Sequence, residues 1–112
     1  MKYIRTKDSV YDTEKGINDE KLEAYFIGFK VINYDEVIKE ADTPKELCDC
    51  FVVVFEDKQG IVYDDFEWAK IKANENLNAG IKTIVYGAIW TDKGPIYVTQ
   101  MNDKGDLKLI WK

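Results

Sequence analysis

Apolar positions in this chain gather into short dense runs broken by polar turns, and only two stretches carry helix signals. Residues 2–6 alternate Tyr3 and Arg5 against Ile4 and end at Lys7-Asp8-Ser9 before Val10 and Tyr11. That pattern predicts a short strand and the first half of a hairpin. Residues 12–23 are polar, with Gly16, Asn18 and Asp19 as breakers, so a loop with one helical turn near 19–24 is expected. Residues 25–32 read YFIGFKVI, too densely apolar for a solvated helix face. They predict one strand, in which Gly28 marks a bulge or the close approach of another backbone. Residues 35–40 fit a further strand or a turn of helix equally well.

The first helix signal is Thr43-Pro44-Lys45-Glu46, where Thr43 suits the cap, Pro44 the first helical position, and Glu46 completes a capping box. A short helix is expected from here to about Cys50, with Leu47 and Cys50 facing inward. It ends there because the following FVVVF, residues 51–55, belongs in a well-covered strand. Residues 56–60 predict a turn and 61–63 a returning strand. Asp64 or Asp65 then caps a second helix reaching about Leu77, with Phe66, Ala69, Ala73 and Leu77 as its apolar face and Trp68 and Ile71 flanking it. Asp64, Asp65 and Glu67 also complement the helix dipole, and Asn78 and Gly80 end the helix.

The C-terminal third is the most regular. Runs at 81–91, 95–101 and 106–111 are separated by Thr91-Asp92-Lys93-Gly94 and Asn102-Asp103-Lys104-Gly105, two near-identical hairpin turns in which glycine takes the left-handed position. Asp57-Lys58-Gln59-Gly60 is a looser relative. Ile84, Tyr86, Ala88 and Trp90 share one face of the first run, and Thr83, Val85, Gly87 and Ile89 the other. Both faces are apolar, so cover on both sides is expected. The fold class predicted is a single small α+β domain: an antiparallel β-sheet with a C-terminal three-stranded meander and two helices.

Composition narrows the chemistry. With 112 residues, 46% of them hydrophobic, the chain holds material for one core. It contains no run of eighteen apolar residues and no leader-like start, so membrane and secreted classes are set aside and a cytoplasmic location is expected. Cys48 and Cys50 are too close in sequence for a relaxed disulfide and read as reduced thiols. With no histidine and no third cysteine, no metal or other cofactor is expected, and the Ser-His and Cys-His nucleophile pairs are excluded. Residues 35–67 contain eleven acidic and three basic side chains, whereas 81–112 contain three acidic and five basic. One arginine and scattered lysines do not make a phosphate-binding footprint, so nucleic acid is not an expected partner.

Three stretches, MKYIRTKDSVYD at 1–12, ADTPKELCDCFVVV at 41–54 and YGAIWTDKGPIYVTQMNDKGDLKLI at 86–110, together resemble small proteins encoded in phages and prophages of low-GC Gram-positive bacteria. The likeness covers a little under half of the chain and rests on a capping box and hairpin turns. It implies a setting and no mechanism, because that family has no established activity. The expected function is therefore non-enzymatic binding of a protein partner, through an acidic surface (Asp35, Glu36, Asp49, Glu56, Asp57) or an aromatic one (Tyr86, Trp90, Tyr97), with a homodimer through the meander as one form of partnership. The alternative is a small histidine-free enzyme using carboxylates on a small molecule or nucleotide, which would need two or more of them to converge in a recess.

Overall fold

The computed structural model describes residues 2–56 and 60–110. Its chain contacts divide into two compact units, Met1–Leu47 and Cys48–Lys112.

The N-terminal unit is built from six short strands in two sheets. Strands β1 (Tyr3–Arg5), β2 (Val10–Asp12) and β6 (Lys39–Ala41) form one, in the order β2-β1-β6. Strands β3 (Gly16–Asp19), β4 (Ala24–Ile27) and β5 (Lys30–Asn33) form the other. The turn between β1 and β2 is held by Thr6, whose hydroxyl oxygen accepts the N–H groups of Asp8 and Ser9 at 3.2 Å each. Ile4, Tyr25 and Ile32 are the buried heart of this unit, with Tyr11, Ile27, Tyr34 and Val37 packed around them.

The expected single strand over 25–32 is instead a hairpin. Gly28 takes φ +60°, the left-handed region that favours glycine, and reverses the chain so that Tyr25 pairs with Ile32 and Phe26 with Val31. The expected loop at 12–23 contains a short 3-10 turn, Thr13–Lys15, and then β3. The stretch at 35–40 divides between a 3-10 turn, Tyr34–Glu36, and β6.

The second unit is one five-stranded antiparallel sheet in the order β11-β10-β9-β7-β8. Its strands are β7 (Cys50–Phe55), β8 (Gly60–Tyr63), β9 (Thr83–Thr91), β10 (Gly94–Met101) and β11 (Leu107–Leu109). Helix α1, Phe66–Asn78, follows β8. Its cap is Asp65, whose carboxylate accepts the Glu67 N–H at 2.8 Å. Phe66, Ala69 and Ala73 seat it on Phe51, Val53, Val85 and Leu107. Two alanines at the contact let the helix backbone come close to the sheet. The fourth inward position is Asn76, not Leu77, which is 48% exposed. Here the helix is ending, and the Asn76 carbonyl accepts the N–H groups of Ala79 and Ile81 as the chain turns toward β9.

The fold class is corrected on one main point: the described residues are mostly β, with three sheets and one α-helix among them. The second expected helix, from Thr43 to about Cys50, is only the 3-10 turn Pro44–Leu47. Thr43 and Glu46 do meet, but side chain to side chain, the Thr43 hydroxyl donating to Glu46 Oε2 at 3.1 Å. Cys50, however, already begins β7, which leaves too few residues for a helix to propagate.

Candidate functional site

The five-stranded sheet has two unlike faces. One is covered by α1. On the other, strand register sets Val62 of β8 beside Val52 of β7 and Tyr86 of β9, and Trp90 beside Pro95. Large side chains on this face are exposed: Trp90 is 58% exposed and Tyr97 46%, and Val62 and Ile84 are exposed as well.

A β-bulge organises the aromatic end of the surface. Tyr97 pairs with Ala88, but the next pairing is Thr99 with Gly87, so Val98 is an extra residue in β10. Val98 and Thr99, neighbours in sequence, are both fully buried, and the bulge is what permits that. Tyr97 is thereby left on the open face, where its ring stacks on Tyr86 with centroids 4.4 Å apart and planes 9° apart.

The main chain at Trp90 is held from behind. Its backbone N–H donates to Asp49 Oδ2 at 2.7 Å, and the Asp49 backbone N–H donates to the Ala88 carbonyl at 2.8 Å. Asp49 thus clamps the loop before β7 to β9. Next to it Cys48 and Cys50 carry thiols with no disulfide between them. Cys48 Sγ lies 3.7 Å from Thr99 Oγ1, and both fit because position 87 has no side chain: a Cβ there would collide with Thr99 Oγ1 and lie 2.6 Å from Cys48 Sγ. Burial pushes the Cys50 thiol pKa up, and the neighbouring Asp49 charge adds to the shift, so the thiolate is disfavoured.

The eight residues expected to bind a partner are divided between the two units. Asp35 and Glu36 belong to the N-terminal unit, in the Tyr34–Glu36 turn. Glu36 is committed locally, since its Oε2 accepts the Asn33 N–H at 2.8 Å. Asp49 is the clamp just described, and Glu56 is exposed at the end of β7. Asp57 lies outside the described residues, as do Lys58 and Gln59 of the expected turn and Trp111. Tyr86, Trp90 and Tyr97 share the open face. Val52, Val62 and Ile84 join them there without having been expected as site residues. The alternation within β7 and β8 carries the signal for the valines, but only the pairing of β7 with β9 reveals which face they share.

A recess of about 620 Å³ in the N-terminal unit brings three carboxylates, Glu40, Asp42 and Glu46, together with Lys2 and Lys39. Most of its groups already have partners. Glu40 pairs with the Lys2 ammonium at 3.1 Å and accepts the Tyr25 hydroxyl at 3.4 Å; Glu46 accepts from Thr43, and Lys39 donates to the Glu46 carbonyl at 3.0 Å. The Lys2 pKa is raised by its hydrogen bond to Glu40 and by the Glu40 charge, as any structural ion pair would do. Among the described residues no group of three or more metal-ligating side chains is placed to hold an ion, and no helix is long and apolar enough to cross a membrane. No family model, curated protein or solved structure matches this chain.

Proposed function

We propose that the protein is a non-enzymatic binding protein that takes a protein partner on the open face of its five-stranded sheet. The observation that carries this reading is the alignment of Tyr86, Tyr97, Trp90, Ile84 and Val62 on one rigid surface opposite the helix. The stacked Tyr86 and Tyr97 rings lose little freedom on binding, and large apolar patches on soluble domains commonly mark interaction sites. Asp49 and Glu36 serve local structure, so the acidic residues are assigned at most to steering the encounter. In the phage-like setting the sequence suggests, the partner is a host or phage protein in the cytoplasm, where free thiols stay reduced.

The test begins by capturing the partner from a host lysate with the tagged chain and measuring its affinity for variants. Trp90→Ala should weaken binding by about thirtyfold or more, as truncation of an interface anchor does, whereas Trp68→Ala, on the exposed side of α1, should leave it unchanged. Full affinity in Trp90→Ala, or an equal loss in Trp68→Ala, overturns the assignment. If the partner is a second copy, sedimentation should show a dimer that Trp90→Ala abolishes. The alternative, an enzyme, has its best footing in the Glu40–Asp42–Glu46 recess, but pairing of Glu40 and Glu46 with their neighbours leaves no free acid and base there to favour it.

A further inference from the structure

On the helix side of the same unit, the C-terminal half of α1, the start of β9 and the β10–β11 hairpin enclose a recess of about 430 Å³, within the size range of small-molecule sites. Leu77 and Met101 supply its apolar lining. Its rim is polar: Lys70, Asn74, Asn102 and Lys104, with Asp103 the one carboxylate. Two ammonium groups against one carboxylate make the lining locally positive in a chain whose net charge is −5.

Lys70 is held in place. Its ammonium lies over the Phe66 ring, 5.8 Å from the centroid, and its stem rests against Gly105, where a Cβ would come within 2.9 Å of Lys70 Cε. The rim opposite is equally ordered, because Asn102 Oδ1 accepts the N–H groups of Lys104 at 2.9 Å and Asp106 at 3.0 Å. Among the described residues Lys70 forms no ion pair. Lys70, half-buried as a residue, thus presents a positioned ammonium to the recess without an ion-pair partner.

We infer that this recess binds a small amphipathic anion: a carboxylate or phosphate head on Lys70 and Lys104, and an apolar body of a few carbons against Leu77 and Met101. The inference goes beyond the protein-binding reading and does not depend on it.

The test is an NMR titration of the full ¹⁵N-labelled chain with hexanoate, phenyl phosphate and neutral hexanol. The expected result is a saturable shift of the Lys70, Asn74, Thr83 and Met101–Gly105 amides with at least one anion and none with hexanol. A preference for hexanoate assigns a carboxylate ligand, and a preference for phenyl phosphate assigns a phosphoryl one. Lys70→Met keeps the stem against Gly105 and should weaken binding at least about tenfold, the loss expected for one charge-assisted hydrogen bond. Lys72→Met, outside the recess, should change nothing. Lys104→Met provides a second variant should Lys70→Met fold poorly. No saturable shift with either anion, shifts spread over all the lysines, or undiminished binding in the folded lysine variants overturns the inference.

Discussion

The N-terminal unit has six strands and the C-terminal unit five, yet the unit with fewer strands has the larger core. In the first no strand exceeds four residues, and Ile17, Leu22, Phe29, Val31 and Ile38 remain exposed. In the second, strands of six and nine residues carry α1 on one face, and Val53 and Val85 beneath it are fully buried. The difference teaches that length and a covering layer, not strand number, determine what a sheet can bury. Three-residue strands present only one or two side chains to each face, and a unit of under fifty residues has little interior to offer them.

The comparison is tested most severely by core truncation. Phe66→Ala removes a ring packed 5.5 Å from that of Phe51 and should cost about 3–5 kcal/mol in urea unfolding. Ile4→Ala, in the smaller core, should cost about 2–4 kcal/mol. A larger loss at Ile4 than at Phe66 would invert the ranking of the two cores.

A smaller effect separates the kinds of packing. Gly87→Ala should destabilise by about 1–3 kcal/mol through overpacking, and adding Thr99→Ala should restore part of it, because the obstacles are side chains. Gly16→Ala, in the N-terminal unit, would press on the Phe26 carbonyl and on Ile27 Cα at 2.8 Å, and no side-chain truncation should rescue it. Equal rescue at both sites in thermal unfolding would remove that distinction.

The smallest effects concern turns. Gly28→Ala and Gly94→Ala meet open space, so each should cost only the backbone penalty of about 1 kcal/mol, one in each unit. Gly105→Ala should cost more, since Lys70 lies in the way. Wild-type melting of all three would mean the left-handed turns carry no strain.

Legibility in the sequence follows the same division. The β10 and β11 turns were readable because a glycine at positive φ is a local requirement, and both Gly94 and Gly105 have it. The Asp65 cap was readable for the same reason. Gly28 was not, because a bulge and a reversal ask the same residue type, and Phe29 beside it disguised the turn as strand. The Thr43 signal brought Thr43 and Glu46 together but gave a 3-10 turn in place of a helix, since competition from β7 is not visible locally. For the open face, alternation marked Tyr86 and Trp90, while its extension to Val52 and Val62 depended on pairing between distant segments.

That distant pairing has a consequence for chain entropy. Within the five-stranded sheet, β7–β8, β9–β10 and β10–β11 each close through a short hairpin, and only β7–β9 joins segments separated by residues 56–82. The loop-closure cost of the sheet is therefore concentrated at one seam. It grows only with the logarithm of loop length, about 0.6 kcal/mol per doubling. The helix within that loop takes up much of the slack: thirteen residues of α1 replace flexible chain by a rod, and its Phe66, Ala69 and Ala73 land on the strands it brings together.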